Sequence, residues 1–403
     1  MQPLLLSHFT ATSCIGRGRA PLLAALRGQR GGLRPCDFDG ADLSTWTGSV
    51  AGVDDEMLRA DLRAYDCRNN RLAQLGLRQD GFGQAVAHVM ARVGRRRIGV
   101  FLGTSTSGIL QTELAYRRRD PVTGALPPDF HYASTHNPYS VSDFVRRHFG
   151  LEGPAMAVSS ACSSSAKVFA SARRMMQAGL IDAAIVGGVD SLCLTTLCGF
   201  HSLGLLSAHP CRPFDAARDG ISIGEAAAFI LLERAPDSLE AGAVLLLGVG
   251  ESSDAYHMSS PHPQGLGARL AMQQALDGAH LQAAQIDYIN LHGTATPGND
   301  AAEGMAVAAL FGDGATPCSS TKGATGHTLG AAGALEAVIS ALALQQGLMP
   351  AGVNTEHVDP ALGVHYLLEN REQRVKTVLS NSFGFGGTNC SLVFGRADQD
   401  PAS

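Results

Sequence analysis

The sequence predicts an α/β protein, and three observations carry that prediction. Short runs rich in β-branched and Leu residues alternate with Ala-rich amphipathic segments along the 403 residues. The strand-like runs are apolar enough to be buried, and 45% of the chain is apolar, which supplies a sizeable core and excludes disorder. The 47 glycines follow no collagen-like period; many interrupt apolar runs, where tight turns or close backbone approach are needed.

Taken in order, strands are expected at IGVFLG from Ile98, AMAVSS from Ala155, AAIVGGV from Ala183 and AAAFILLE from Ala226. A second series follows at AVLLLGVG from Ala243, IDYINLHG from Ile286, TVLSNSFG from Thr377 and CSLVFG from Cys390. Helices are expected after Ser163 (AKVFASARRMMQAG), after Leu266 (ARLAMQQALDGA) and after Gly330 (AAGALEAVISALALQQG), the last two stopping at Gly. The polar stretch ERAPDSLEAGA from Glu233 separates the two series, so the boundary is placed near 236, giving halves 1–236 and 237–403. Both halves run from strands through Gly-rich loops into Ala-rich helices, which hints at an internal duplication.

A formal net charge of −5 argues against nucleic-acid binding as the whole-chain function. The basic clusters Arg95–Arg96–Arg97 and Arg117–Arg118–Arg119 read first as solvated faces. Nine scattered cysteines without a CxxC pair fit free thiols in a reducing, cytoplasmic compartment. The start, MQPLLLSHFTATSCIGRG, lacks a basic region and reads as a poor signal peptide, and no apolar run approaches a membrane span.

Four segments carry chemistry. AVSSACSSSA, from Ala157, runs from a strand into a helix, so Cys162 falls near a helix N-terminus, where free N–H groups favour a thiolate. The alternative is a buried structural Cys. His292 closes a strand in IDYINLHGTATPGND, and His327 precedes a helix in SSTKGATGHTLGAAGA. Two His and one Cys suit thioester chemistry; they also raise a metal site, against which stands the lack of any paired-ligand spacing. The segment Ser380–Asn389, SNSFGFGGTN, reads as a tight loop whose N–H groups suit an oxyanion hole, and it matches neither phosphate-binding Gly pattern.

Jointly, SSACSSS, GGVDSLC, CRPFDAARDG, SSDAYHMSSP, YINLHGTATPGND, SSTKGATGHTLGAAGALE and SNSFGFGGTNCSLVF resemble, in order, the β-ketoacyl-acyl-carrier-protein synthases of the thiolase superfamily. The stretch GGVDSLCLTTLCGFHSLGLLS looks closer to synthase I than to synthase II. Three departures are HGTAT in place of HGTST, Gly224-Glu-Ala-Ala in place of GEGA, and a start without the VVTGMG-like run. The ADQDPAS that follows Arg396 reads against a modular polyketide synthase.

The resemblance implies a five-layered αβαβα thiolase fold in two similar halves. It implies an acyltransferase, a 3-oxoacyl-[acyl-carrier-protein] synthase of fatty-acid or polyene/polyketide elongation. The chain would act as a homodimer, or in a heterodimer with a related ketosynthase-like subunit. No cofactor is implied, since substrates ride on the phosphopantetheine of an acyl carrier protein. Cys162 would take the acyl chain, while His292 and His327 stabilise the enolate of a decarboxylating malonyl thioester. Backbone N–H groups of Cys162 and Phe385 would form the oxyanion hole. Lys322 matches an active-site lysine and Glu336 its buried support, with an ion pair from Lys322 to Glu303 or Asp300 as the structural alternative. Thr294, Thr296 and Ser259 would bind the pantetheine arm, and Thr106 and Phe200 would line the acyl pocket. Arg59 and Arg63 would dock the carrier protein, with Arg117 to Arg119 as further candidates. Asn290, Glu336 and Ser380 match a monovalent-cation site of some members. A thiolase, which shares the nucleophilic Cys but has a second catalytic Cys (Cys390 lies close by in sequence), and a chain-length-factor subunit, which lacks the nucleophile, are the rival readings; HGTAT and the Phe-Gly-Phe loop weigh against the first, and Cys162 against the second.

Overall fold

Ten strands form two sets with one repeated topology in a computed structural model that describes residues 2–312 and 314–397. The ADQDPAS tail lies outside the described residues from position 398 onward. The first set comprises Leu4–Ser13 (β1), Ile98–Gly103 (β2), Ala155–Val158 (β3), Ala183–Asp190 (β4) and Ala226–Arg234 (β5), lying in the order β3-β2-β4-β5-β1. The second comprises Val244–Ser253 (β6), Tyr288–Asn290 (β7), Pro317–Ser319 (β8), Thr377–Gly384 (β9) and Thr388–Arg396 (β10), in the order β8-β7-β9-β10-β6. Each set is therefore ordered third, second, fourth, fifth, first. Strand direction repeats as well. The first three neighbours are parallel and the last two pairings antiparallel in both sets. The sets join edge to edge where β1 pairs with β6 at Leu4↔Leu246 and Leu5↔Leu245.

Helices fill three layers around these sheets. Arg68–Leu77 (α1), Phe82–Val93 (α2) and Tyr139–His148 (α3) cover the outer face of the first set, packing Leu72, Phe82 and Phe144 on Val100 and Phe229. Leu266–Ala279 (α5) and Pro297–Phe311 (α6) cover the second, with Met272 and Val307 on Ile289, Leu379 and Val393. Between the sheets lie Ser164–Gln177 (α4) and Ala332–Gln346 (α7), whose Phe169, Met176, Leu335 and Val338 meet Phe101, Ile230, Val378 and Phe394. The result is the αβαβα order. Because α7 is covered on every side, apolar residues occupy all its faces, with Glu336 and Ser340 as buried polar exceptions. The stretch Leu329–Gln346 consequently has the length and hydropathy of a membrane span, yet it is buried inside the fold.

Several expectations change at element ends. The Leu266 helix does not stop at Gly278; it runs to Ala279 and closes on His280, which adopts the left-handed conformation at φ 57°. The α7 helix does end at Gly, with Gly347 at φ 62°. IDYINLHG shrinks to Tyr288–Asn290, since its end turns away to present His292. Half of the supposed loop Ser380–Asn389 is strand β9, and only Phe385–Gly387 makes the turn. The N-terminal segment set aside as a poor signal peptide forms β1, paired along most of its length with β5. All nine cysteines are unpaired.

Candidate active site

The strand β3 ends at Val158, and the chain turns through Ala161, whose φ of 52° is costly for a residue with a Cβ, before α4 begins at Ser164. This turn lifts Cys162 to the helix N-terminus. It is held by Thr388, whose Oγ1 donates to the Ser160 carbonyl and lies 2.9 Å from Ser163 Oγ. The helix can sit this close to the sheet because position 103 is Gly: a Cβ there would meet Ser165 N at 2.3 Å.

The other groups arrive from the second half. His327 hangs between its own N–H, which donates to Ser222 O at 2.7 Å, and its carbonyl, which accepts from Gly224 N at 3.0 Å. Its Nε2 lies 3.0 Å from Cys162 Sγ, while its Nδ1 accepts the Leu329 N–H at 3.3 Å. His292 stands 5.2 Å away, ring centroid to centroid, in a T-shaped arrangement. Lys322 Nζ donates to His292 O at 2.5 Å, lies 3.3 Å from His292 Nδ1, and forms a close ion pair with Glu336. An ammonium only donates, so His292 Nδ1 is the acceptor. Both imidazoles thus accept at Nδ1 and carry hydrogen at Nε2. Burial, together with the nearby Lys322 charge, holds both well below the usual histidine pKa, so they are neutral donors.

The same hydrogen bonds bear on the metal question that spacing left open. The ligating atoms of Cys162, His292 and His327 do converge, all within 4.8 Å of one another. Yet Nδ1 of each ring is engaged, each Nε2 bears hydrogen, and an ammonium stands behind His292. As hydrogen-bonded here, the two rings present donors toward the cavity.

The thiol departs from the sequence expectation. Burial pushes Cys162 up to about 12, with Lys322 as the largest opposing influence and a hydrogen bond from the Phe385 N–H next. Burial thus works against the thiolate that the helix terminus was expected to favour, and Lys322 and the Phe385 N–H work for it.

Two acids that the sequence suggested as partners of Lys322 act elsewhere. Glu303 accepts the His292 and Gly293 N–H groups at 2.8 and 2.7 Å, and Asp300 accepts those of Thr294 and Phe214 at 3.0 and 2.8 Å. One face of α6, at i and i+3, thereby fixes the histidine and the threonine that follow β7. That spacing in PGNDAAEG was the available signal for the role.

A cavity of about 610 Å³ opens onto Cys162, His292 and His327 and is lined also by Phe200, Ser259, Thr294, Thr296 and Phe385. Tyr256 and His257 at its mouth, and Phe383 beside His292, were not foreseen. Thr106 does not belong to this lining. Its hydroxyl and N–H both donate to the buried Asp190 carboxylate at 2.8 Å, so it holds its own loop. The side-chain oxygens Asn290 Oδ1, Ser380 Oγ and Glu336 Oε2, the last on the ion-pair partner of Lys322, are buried without hydrogen-bond partners among the described residues, and Asn290 lies opposite Ser380 in the β7–β9 pairing. Arg59 is bound to Asp61 and to the His148 carbonyl, whereas Arg63 is exposed and forms no ion pair among the described residues.

Residues 71–238 match the family described as Beta-ketoacyl synthase, N-terminal domain, and residues 243–356 match its C-terminal domain. A 3-oxoacyl-[acyl-carrier-protein] synthase 2 of Vibrio cholerae is 33% identical over 393 residues, covering 93% of this chain and 94% of that one. A mitochondrial synthase of Arabidopsis thaliana is 41% identical over 270 residues, 63% of this chain, and the match spans only 59% of that relative. The bacterial relative's name is that of synthase 2, against the leaning toward synthase I read from the sequence. Among solved structures, a chain of a ketosynthase–chain length factor complex from Xenorhabdus doucetiae superposes with a TM-score of 0.89 at 38% identity, over 98% of both chains. A β-ketoacyl synthase from Burkholderia phymatum gives 0.87 at 29% identity, over 98% of this chain and all of its own. The chain therefore belongs to the β-ketoacyl synthase family of condensing enzymes.

Proposed function

We propose that this chain condenses a malonyl group carried on an acyl carrier protein with an acyl group held on Cys162. The observation that carries the reading is the convergence, in one cavity, of the Cys162 thiol, the Phe385 N–H and two neutral imidazole Nε2–H groups. In the first step Cys162 Sγ attacks the acyl thioester carbonyl. The carrier thiol leaves with the proton that Cys162 loses, and N–H groups of Cys162 and Phe385 hold the intermediate oxyanion. In the second step the malonyl thioester loses carbon dioxide, and its electron pair becomes an enolate whose oxygen accepts from His292 and His327. The enolate carbon then attacks the acyl-Cys carbonyl, forming the new C–C bond; the Cys162 sulfur departs as a thiolate and takes a proton from solvent to restore the thiol. Thr294, Thr296 and Ser259 line the approach and suit a pantetheine arm.

The orphaned oxygens of Asn290, Glu336 and Ser380 fit a monovalent cation, a hard ion that prefers oxygen ligands. Such an ion would offset the Glu336 charge and stiffen the wall behind Lys322. As for partners, an acyl carrier protein supplies both substrates, and a second subunit of the same fold suits the chain. The structural relatives include two titled as ketosynthase with chain length factor, which favours a heterodimer in which this chain, having Cys162, is the catalytic subunit. Nine free thiols suit a reducing, cytoplasmic setting.

The test is mass spectrometry of the protein after incubation with a panel of acyl-carrier proteins, paired with carbon dioxide release from malonyl carrier protein. Acyl mass should appear on wild type and be absent from Cys162→Ala. His292→Ala and His327→Ala should still acylate but lose decarboxylation about 10²- to 10³-fold, the usual effect of removing one oxyanion donor. Condensation by Cys162→Ala, or full carbon dioxide release from both histidine variants, would sink the proposal.

A further inference from the structure

The helix Leu194–Ser202 supplies Phe200 to the cavity wall, and the Phe200 ring packs 5.7 Å from that of Phe385. Leu197 is the only buried residue of the helix, and no side chain of its own caps its first turn. A residue 81 positions away does so instead. Glu113, on the helix Ile109–Arg117, accepts the Leu194 N–H at 3.1 Å, the Thr195 N–H at 2.7 Å and the Thr195 hydroxyl at 2.5 Å. A carboxylate in that position satisfies two otherwise free amides and complements the positive end of the helix.

We infer that Glu113 is a specificity-determining positioning residue: by tethering the N-terminus of the Leu194–Ser202 helix it holds Phe200 in the cavity wall and so limits the acyl chains accepted. The inference rests on the acyl-transfer reading of the cavity. Without the tether, the helix keeps the packing of Leu197 and Phe200 on the cluster of Leu192, Ile221, Ile223 and Leu329 but loses the fixed position of its first turn, so Phe200 shifts more freely against Phe385 and the wall yields to longer or bulkier chains. Glu113 touches no reacting atom, and its effect passes entirely through Phe200.

The full chain is offered an equimolar mixture of a short and a long acyl-carrier thioester, and the ratio of the two masses on Cys162 is read. The ratio is measured within one protein sample, so a loss of folded protein leaves it unchanged. Glu113→Ala should shift it toward the long chain by about fivefold, which corresponds to the roughly 1 kcal/mol a helix cap contributes. Glu113→Gln keeps the length and one acceptor oxygen and should fall between. Phe200→Ala should shift the ratio too, and adding Glu113→Ala to it should shift it no further, because the tether would have nothing left to position. An unchanged ratio in Glu113→Ala overturns the inference, and so does a fully additive double variant. Failure of wild type to carry any acyl group on Cys162 would instead overturn the reading of the cavity itself.

Discussion

Cys162 is a buried thiol beside neutral donors, and this sets its reactivity. With its pKa pushed up to about 12 by burial, the thiolate is a minor species at neutral pH, and its population grows tenfold with each pH unit up to that value. Alkylation of the free protein by iodoacetamide should therefore rise log-linearly with pH through the neutral and mildly alkaline range, without a plateau. Lys322 is the largest influence pulling the thiol down, and Glu336, a smaller one, pushes it up. Replacing both, Lys322→Met with Glu336→Gln, avoids leaving one charge buried alone. That variant should alkylate more slowly at pH 8, on the order of tenfold, since the lost cation raises the thiol further. A plateau near pH 8 in wild type, or faster alkylation in the double variant, would show that the thiol is already ionised at rest.

At the scale of elements, the repeated topology explains where the chemistry lies. The strands β3 and β8 occupy the same place in their sets, and each is followed by a loop leading to a central helix, α4 or α7. Cys162 and His327 precede these two equivalent helices, so the nucleophile and one donor meet at the junction of the halves. Asn290 on β7, Ser380 on β9 and Glu336 on α7 each carry a buried oxygen without a hydrogen-bond partner among the described residues. A bound monovalent cation would link all three elements. Thermal unfolding in potassium or sodium chloride should then occur at a higher temperature than in a bulky organic-cation chloride of equal ionic strength. Ser380→Ala should abolish the difference, and identical midpoints in wild type would remove the cation. Much of this was legible in the sequence. The apolar runs marked eight strands, and the two His and one Cys were visible through their Gly and Thr surroundings. What was hidden depended on long-range geometry. β1 looked like a weak leader because its partner, β5, lies more than 200 residues on. Nothing local reveals that Asp190 captures the Thr106 hydroxyl. Glu113 resembled any surface acid in QTELAYRRR, since the amides it caps belong to another segment.

For the whole molecule, charge poses a problem that position has to solve. The chain carries a net −5, and a carrier protein is expected to be acidic, so overall Coulomb forces oppose their meeting. Docking then depends on local basic groups that remain unneutralised. Arg118 is paired with Asp129, and Arg59 is held by Asp61, leaving each with little field to offer. Arg63 lies on the same short helical turn as Asp61 but is exposed and has no ion pair among the described residues. It is the arginine of this segment best able to steer an acidic partner. Reversing it, Arg63→Glu, should weaken carrier-protein binding at low salt by about tenfold, chiefly by slowing association. The loss should shrink as salt is raised, because at physiological ionic strength the field is already screened beyond about 8 Å. Arg59→Glu should have a smaller effect, since its guanidinium is already committed. The measurement is the association rate of a fluorescent acyl-carrier protein across a salt series. Equal rates for wild type and Arg63→Glu at low salt would move the docking surface to another face of the molecule, with the run Arg117 to Arg119 next in order because two of its three side chains have no carboxylate partner among the described residues.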